Sequence, residues 1–194
     1  SSSLSQAKPA ESTLSWPSPI FSSPNVGTIA YATSHPTTFI SPADGYSGGD
    51  WYYPVSSTWD KTRWQSSKTI YDPCPVGWRV PDGGYAGVWV KAKGGTSDIH
   101  DSKYSKTGMV LSKSYGTGDT IWYPASGYLL PNISNLRFYM DGGNYWSVTT
   151  DGHKAYVLRV SQGVASLMQD TRARGFSVRC VKDSGFGFQD FSSL

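Results

Sequence analysis

The chain contains two cysteines, and their positions restrict its fold more than any other feature of the sequence. Cys74 lies in YDPCPVGWRVPDGG and Cys180 in RGFSVRCVKD, more than a hundred positions further along. Neither has a C-x-x-C partner or a nearby histidine, which argues against a metal site. Arg179 would project from the opposite face of a strand, so it does not activate the thiol of Cys180. A disulfide and a pair of buried free thiols remain open, and a disulfide is favoured because it would constrain a loop of about 100 residues.

Length and charge narrow the class of protein. The 194 residues suffice for one domain with one core, and eight Trp, thirteen Tyr and seven Phe supply bulky side chains for it. The formal net charge is only +3 and the basic residues form no long run, so we expect no nucleic-acid partner. No segment approaches the roughly 20 apolar residues that span a bilayer. The start, SSSLSQAKPAESTLSW, lacks the features of a signal peptide, so we expect a mature or trimmed chain.

Composition along the chain predicts three segments. Residues 1–24 are rich in Ser and Pro and are expected to be a linker or edge segment, 25–183 one domain, and 184–194 a C-terminal tail. Within the domain, short β-prone runs such as VGTIAYA, TTFI and WYYPV precede a regular series from TIWYPASGYLL to GFSVRCVK. The glycine-flanked GGYAGVWVKAKGG permits one short helix or strand. This pattern predicts a β-rich, antiparallel fold with little helix and many irregular loops.

Alternating apolar residues mark two strands of this series. Tyr156, Leu158 and Val160 share one face of AYVLRV, and Phe176, Val178 and Cys180 share one face of GFSVRCV. We expect the two segments to be adjacent, half-buried strands. We also expect Trp78, Trp122 and Trp146 to be core residues, because each lies beside apolar or turn-forming neighbours.

Four motifs carry a resemblance to a known family. KTIYDPCPVGWRVPDGG, IWYPASGY, YWSVTTDGHKAYVL and RARGFSVRCVKD together resemble the C-terminal domains of fimbrillin-family surface proteins of Bacteroidetes, also called the major paralogous domain of Fibrobacter. The similarity covers roughly residues 25–183. The same motifs look like a variant of the C-type lectin-like fold shared with formylglycine-generating enzymes. The segment DGGYAGVWVKA replaces the RLPTEAEWE entry to a helix of those relatives.

The resemblance implies an α+β, β-rich C-type lectin-like domain in which Cys74 and Cys180 form a disulfide and DPCP is a turn. The residues around Cys74 agree with a turn, because Pro73 and Pro75 fix φ on both sides of it and Gly77 permits conformations that a Cβ would resist. The resemblance also extends to the variable proteins of diversity-generating retroelements, in which the segment before the last strand is diversified.

The sequence offers little evidence of catalysis. His35, His100 and His153 lie in polar stretches without a recognisable catalytic motif, so we expect no enzyme activity and no cofactor. Asp98, His100 and Asp101 are interpreted as a solvated loop. Calcium at Asp141 and Asn144 would have oxygen ligands, but the tripeptides of calcium-dependent lectins are absent, so no metal site is predicted.

The segments between Tyr128 and Arg174 are predicted to be loops that form a ligand-binding face, since Tyr and Arg supply large, rigid contacts. The candidate binding residues are Tyr128, Leu130, Asn132, Asn135, Arg137, Tyr139, Asn144, His153, Lys154 and Arg172.

These observations predict a non-enzymatic, extracellular adhesin or pilus-tip module on the cell surface. Its partner would be a protein or glycan on a host or bacterial surface. The alternative is a structural pilin or surface-assembly domain without a ligand, in which residues 1–24 and 184–194 pair with neighbouring pilus subunits by strand addition.

Overall fold

The computed structural model describes residues 18–42, 49–53, 62–92, 102–105, 107–114, 117–131, 133–161 and 164–183. In these residues the chain is rich in β-strand with few, short helices, as the sequence predicts. The described helices are α1 (Ile29–Ser34) and α2 (Val88–Ala92). The described strands are β1 (Ile20–Phe21), β2 (Ile40–Ser41), β3 (Trp78–Arg79), β4 (Ser102–Ser105), β5 (Gly108–Ser114), β6 (Thr117–Pro124), β7 (Ser126–Leu130), β8 (Ile133–Tyr139), β9 (Gly142–Asp151), β10 (Lys154–Ser161), β11 (Val164–Thr171) and β12 (Val181–Lys182).

The main sheet has the strand order β11, β10, β9, β7, β8. Strand β10 is antiparallel to both of its neighbours, whereas β7 meets β9 in parallel where Gly127 lies opposite Gly143. Strands β4, β5 and β6 form an antiparallel sheet of their own. The two-residue strands pair as β1 with β2, in parallel, and β3 with β12, antiparallel.

The central strands of the main sheet are buried on both faces. On one face, Leu158 and Val160 pack with Met109 and Tyr123 of the three-stranded sheet and with Trp89 of α2. The indole N–H of Trp89 donates to the hydroxyl of Tyr123 at 2.9 Å, which satisfies both polar groups inside this cluster. The predicted inward alternation is therefore confirmed for Leu158 and Val160, whereas Tyr156, the third residue of that prediction, packs near Gly83 and the ring of Tyr85 instead.

The opposite face packs against residues 175–183, which we call the C-terminal segment. Trp146 and Val157 contact Phe176 and Val178 there, while Val178 and Cys180 also reach the neighbouring cluster that contains Cys74. The predicted common face of Phe176, Val178 and Cys180 is thus confirmed. This face of the main sheet also forms one wall of the pocket described below.

The sequence predicted that the C-terminal segment is a strand beside β10, and this prediction is wrong. Gly175 forms an isolated bridge with Leu129 and Ser177 one with Tyr145, so the segment lies against β7 and β9. The backbone N–H of Trp146 donates to Ser177 at 2.9 Å, and that of Ser177 donates to Asn144 at 3.0 Å. These bonds take the place of a regular ladder.

A disulfide joins Cys74 and Cys180, with their Cα atoms 5.8 Å apart, which confirms the predicted pairing. Asp72 anchors the segment that carries Cys74: its Oδ1 accepts from the backbone N–H of Cys74 at 2.8 Å and its Oδ2 from that of Val80 at 2.9 Å. The ammonium of Lys68 donates to Oδ1 at 2.9 Å and to the carbonyl of Cys74. Gly77 follows with φ of +78°, the left-handed conformation that its position was expected to need.

Two further sequence predictions are wrong in part. The run VGTIAYA forms the N-cap and body of helix α1 rather than a strand, because the hydroxyl of Thr28 accepts from the N–H of Tyr31 at 3.1 Å and caps the first turn. Trp146 is a core residue with 6 % exposure, but Trp78 and Trp122 are 46 % and 37 % exposed. Tyr123 of β6 is buried, and the two-residue period then places Trp122 on the outer side.

Candidate functional site

A pocket of about 380 Å³ opens between helix α1 and the face of the main sheet that carries Trp146. The segments 49–53 and 62–71 form its other sides, represented in the lining by Asp50, Trp51, Arg63, Trp64 and Tyr71. A volume of this order lies in the range of small-molecule sites. The pocket is therefore large enough to hold a small ligand or one group of a larger one.

Helix α1 presents one stripe to this pocket. Ile29, Ala32 and Thr33 line it, and they lie at i, i+3 and i+4, which share one side of a helix. Ala30 belongs to another side and is exposed. The helix ends at His35, whose ring stacks on Tyr31 at a centroid distance of 4.0 Å. The cap at Thr28 and this stacked end fix the short helix as a wall.

A buried charge cluster lies at the pocket. The side chain of Asp50 is 6 % exposed, and its Oδ2 accepts from Nη2 of Arg63 at 3.0 Å. Nη2 of Arg172 lies 2.9 Å from the same oxygen. The backbone N–H of Tyr52 donates to Oδ1 at 3.3 Å. The carboxylate thus joins three segments that are remote in sequence, and removing either arginine would leave a buried charge less compensated.

Aromatic rings surround this cluster. The guanidinium of Arg63 lies 4.5 Å from the ring centroid of Tyr52 and 5.5 Å from that of Trp51, distances at which a cation is attracted to a ring face. The indole N–H of Trp64 donates to the carbonyl of Tyr71 at 2.9 Å. Trp64 also packs against the clusters around the disulfide and Trp146, so its ring is held in place. These contacts fix the orientation of Trp64 in the pocket wall.

Of the predicted binding residues, Arg172 lines the pocket and His153 lies next to it. The side chain of His153 packs on Gly49, where an added Cβ would lie only 2.9 Å from the Cβ of His153. The φ of Gly49, +67°, also favours glycine. His153 accordingly fixes the position of the chain directly before Asp50.

The other predicted binding residues are distributed over the main sheet. The prediction that they lie in loops is wrong for most of them, because hairpin β7–β8 and strands β9 and β10 include Tyr128, Leu130, Asn135, Arg137, Tyr139, Asn144 and Lys154. Asn144 is buried, with 8 % exposure, because β9 is covered on both faces. Asn132 lies outside the described residues. Apolar and polar residues do not alternate regularly across 132–140, so the sequence alone predicts a loop there.

Hairpin β7–β8 carries an aromatic group of its own. Tyr128 lies opposite Arg137 in the register and stacks on Phe138, with centroids 5.5 Å apart and planes 12° apart. Phe138 is 43 % exposed and has φ of +55°, and Met140 has φ of +61°. Positive φ at two non-glycine residues marks a locally strained backbone at the end of this hairpin.

Sequence reasoning missed the pocket residues that precede Cys74. Asp50, Trp51 and Arg63 belong to the segments GGDWYYP and KTRWQ, whose mixture of aromatic and charged residues was the available signal. Nothing in the sequence shows that Asp50 pairs with Arg172, because that contact depends on the tertiary fold.

No group of three or more His, Cys, Asp and Glu side chains among the described residues is arranged to hold a metal ion. None of the helices in that part of the chain is long and apolar enough to cross a membrane. Asp98, His100 and Asp101 lie outside the described residues.

No protein-family model matches the chain, and no match was found among the curated proteins or the solved structures.

Proposed function

We propose that the protein is a non-enzymatic ligand-binding module of the cell surface and that its ligand occupies the pocket between α1 and the main sheet. One observation carries this proposal: the pocket combines fixed aromatic walls with a buried Asp50–Arg63–Arg172 cluster. A mostly apolar cavity with a few convergent polar groups is the usual form of a binding site. The partner is a protein or glycan on a host or bacterial surface, bound through a group small enough to enter the cavity.

The scaffold and location belong to the same proposal. A disulfide between an early segment and the C-terminal segment suits an oxidising, extracellular environment. The β-rich body and the order of the four motifs support a C-type lectin-like domain related to the fimbrillin-associated domains of Bacteroidetes surface proteins. The proposed relation to the variable proteins of diversity-generating retroelements is based on the same motifs. In such a scaffold the rigid sheet holds the walls of the site.

A glycan and protein array probed with the purified domain tests the proposal. Ala32→Phe places a large ring in the pocket from helix α1, and it should abolish the binding of any partner that the unmodified protein captures. Ala30→Phe makes the same substitution at an exposed position of the same helix, so it should leave binding unchanged. Both variants should keep the thermal stability of the parent, since neither side chain enters a core cluster.

A third variant separates the pocket from the hairpin. Arg137→Ala changes a predicted binding residue on β8 without touching the pocket lining. Binding that survives Ala32→Phe but not Arg137→Ala would refute the pocket and move the site to hairpin β7–β8. A protein that binds nothing on the array and forms polymers at rising concentration would refute the function and support the structural pilin instead.

A further inference from the structure

We infer that the pocket takes an uncharged aromatic ring, the side chain of a phenylalanine that a protein partner inserts as an anchor; this inference rests on the proposed function. Three features of the site lead to it. Its charged groups and several of its other polar groups are already bound within the protein, the rest of its lining is largely aromatic and aliphatic, and its rim carries exposed apolar surface.

The charged groups of the lining are bound to one another. Oδ1 of Asp50 accepts from the backbone N–H of Tyr52, and Nη2 of Arg63 and Nη2 of Arg172 lie 3.0 and 2.9 Å from its Oδ2. Both arginines also make further interactions. A charged ligand would have to compete with these contacts and would lose its own hydration on entering the cavity. The cluster therefore disfavours both a carboxylate and an ammonium group.

Neutral polar groups of the lining are used in the same way. The hydroxyl of Thr33 donates to the carbonyl of Ile29 at 2.8 Å, a bond that a threonine commonly makes within its own helix. The hydroxyl of the buried Ser147 donates to the carbonyl of Tyr156 at 2.8 Å, and the indole N–H of Trp64 is bound to a backbone carbonyl. A sugar would have to share these groups or leave part of its own hydroxyl groups unpaired, which costs free energy.

The rest of the lining offers aromatic and aliphatic surface. Its members are Trp51, Tyr71, Trp146, Ile29, Ala32, Val148 and Ala155. Aromatic rings that meet in an offset or edge-to-face arrangement attract each other beyond the effect of burying apolar area. A phenyl ring has no polar atom that would need a partner inside the pocket. This surface therefore suits a phenylalanine side chain.

The rim favours a partner that covers more than the cavity. Tyr71 lines the pocket, and because it is 44 % exposed it also forms part of the outer surface. Ile70, directly before it, is 91 % exposed. Binding surfaces of proteins commonly combine one anchor in a pocket with further contacts around it that exclude water. A protein that inserts one ring can also cover this rim, whereas a free small molecule would leave it in water.

A set of capped amino acids tests the inference by saturation-transfer NMR, with the fluorescence of the pocket tryptophans as a second readout. N-acetyl-L-phenylalanine amide should bind about tenfold more tightly than N-acetyl-L-alanine amide, about 1.4 kcal/mol, and its affinity should not change with added salt. The corresponding lysine and aspartate amides, and methyl glucoside as a neutral sugar, should bind no more tightly than the alanine compound.

Variants of helix α1 give the second arm of the test. Ile29→Glu places a carboxylate in the lining at the first helical position, where a negative charge does not oppose the helix, so it should weaken the phenylalanine compound about tenfold while the protein stays folded. Ala30→Glu makes the matched change at the exposed neighbouring position and should have no effect. Thermal denaturation checks that both variants fold.

Thr33→Val distinguishes an apolar ligand from a polar one. The change removes a hydroxyl from the lining and keeps the branched shape of the side chain. Because a phenyl ring does not use that hydroxyl, the affinity for the phenylalanine compound should stay the same or rise. Weaker binding would show that the ligand bonds to the hydroxyl and would count against the inference.

Three other outcomes would overturn the inference: equal binding of the phenylalanine and alanine compounds, tighter binding of a charged compound or of methyl glucoside, or no binding of any probe. Each can be told apart from a failure of the proposed function. Array capture of a glycan that Ala32→Phe abolishes would refute the protein anchor and keep the pocket as the binding site. Array capture of a protein that N-acetyl-L-phenylalanine amide displaces would support both.

Discussion

Replacing Asp72 with Asn should destabilise the protein well beyond the usual effect of changing one polar side chain. The carboxylate is 1 % exposed, and its two oxygens accept from the N–H groups of Cys74 and Val80 and from Lys68. An amide can keep an oxygen on one side only. Its NH₂ group would then face one of the two backbone donors, which would lose its partner in a buried place.

The expected loss is about 2 to 4 kcal/mol. A buried donor left unsatisfied costs about 1 to 3 kcal/mol, and weakening the charge-assisted bond from Lys68 adds a contribution of similar size. Removing the cost of burying a charge offsets part of this sum. Urea denaturation near neutral pH measures the difference, with Asp151→Asn as an exposed control that should stay within about 0.5 kcal/mol.

The dependence on pH provides an internal check. Burial by itself raises the pKa of Asp72, but the backbone N–H of Val80, the ammonium of Lys68 and the N–H of Cys74 together outweigh it and hold the pKa below the ordinary value of 3.8. A depressed pKa stabilises the folded state above the unfolded value, and this contribution disappears as the pH falls through the folded pKa. The gap between the parent and Asp72→Asn should therefore close at pH values below 3.8. A gap under about 0.5 kcal/mol at neutral pH, or one that persists unchanged in acid, would refute the reasoning.

Three further outcomes are expected. Replacing Cys74 and Cys180 together with Ser should lower the free energy of unfolding by about 2 to 5 kcal/mol, and peptide mapping of the unreduced parent should recover the two cysteines in one cross-linked fragment. Leu158→Ala should cost about 2 to 5 kcal/mol because Leu158 has 0 % exposure, whereas Val164→Ala at the exposed start of β11 should cost far less; calorimetry distinguishes them. Burial raises the pKa of Tyr123 and Tyr145 above the ordinary value of 10.0, so the stabilisation present below that pH should be lost as the pH rises through the folded-state pKa, and their phenolate absorbance should appear at higher pH in the folded protein than in the urea-unfolded chain.

The sequence predicted those parts of the fold that depend on local pattern. Leu158 and Val160 follow the two-residue period of a strand, and Phe176, Val178 and Cys180 share a face, so both alternations survive in the structure. The pairing of the two cysteines is also observed. The alternation is encoded by residues close together in the sequence. The disulfide could be predicted because the chain has only two cysteines, so that one pairing within the chain is possible.

The remaining features depend on contacts between distant segments. Asp50 and Arg172 meet only because the turn after β11 lies beside the segment that precedes Trp51, and no periodicity records that contact. The β-branched residues of VGTIAYA favour a strand, but the N-cap at Thr28 starts helix α1 there instead. At the end of hairpin β7–β8, Phe138 and Met140 adopt the left-handed backbone conformation. Propensity scales do not predict this conformation for such residues in or next to a strand.

The hairpin and the pocket are connected by three aromatic rings, and this connection makes Tyr128 a structural residue as much as a candidate contact. The ring of Tyr128 meets that of Phe176 edge to face at 5.3 Å, and Phe176 lies 4.6 Å from Trp146 in the pocket wall. Tyr128→Ala removes this pair and the stack on Phe138; at about 0.5 to 1.5 kcal/mol each beyond area burial, the loss should be about 1 to 3 kcal/mol. Tyr128→Phe keeps the rings and should cost less than about 0.5 kcal/mol in the same urea titration. If Tyr128→Ala were as stable as the parent while array binding fell, Tyr128 would be a direct ligand contact, and the hairpin rather than the pocket would be the binding surface.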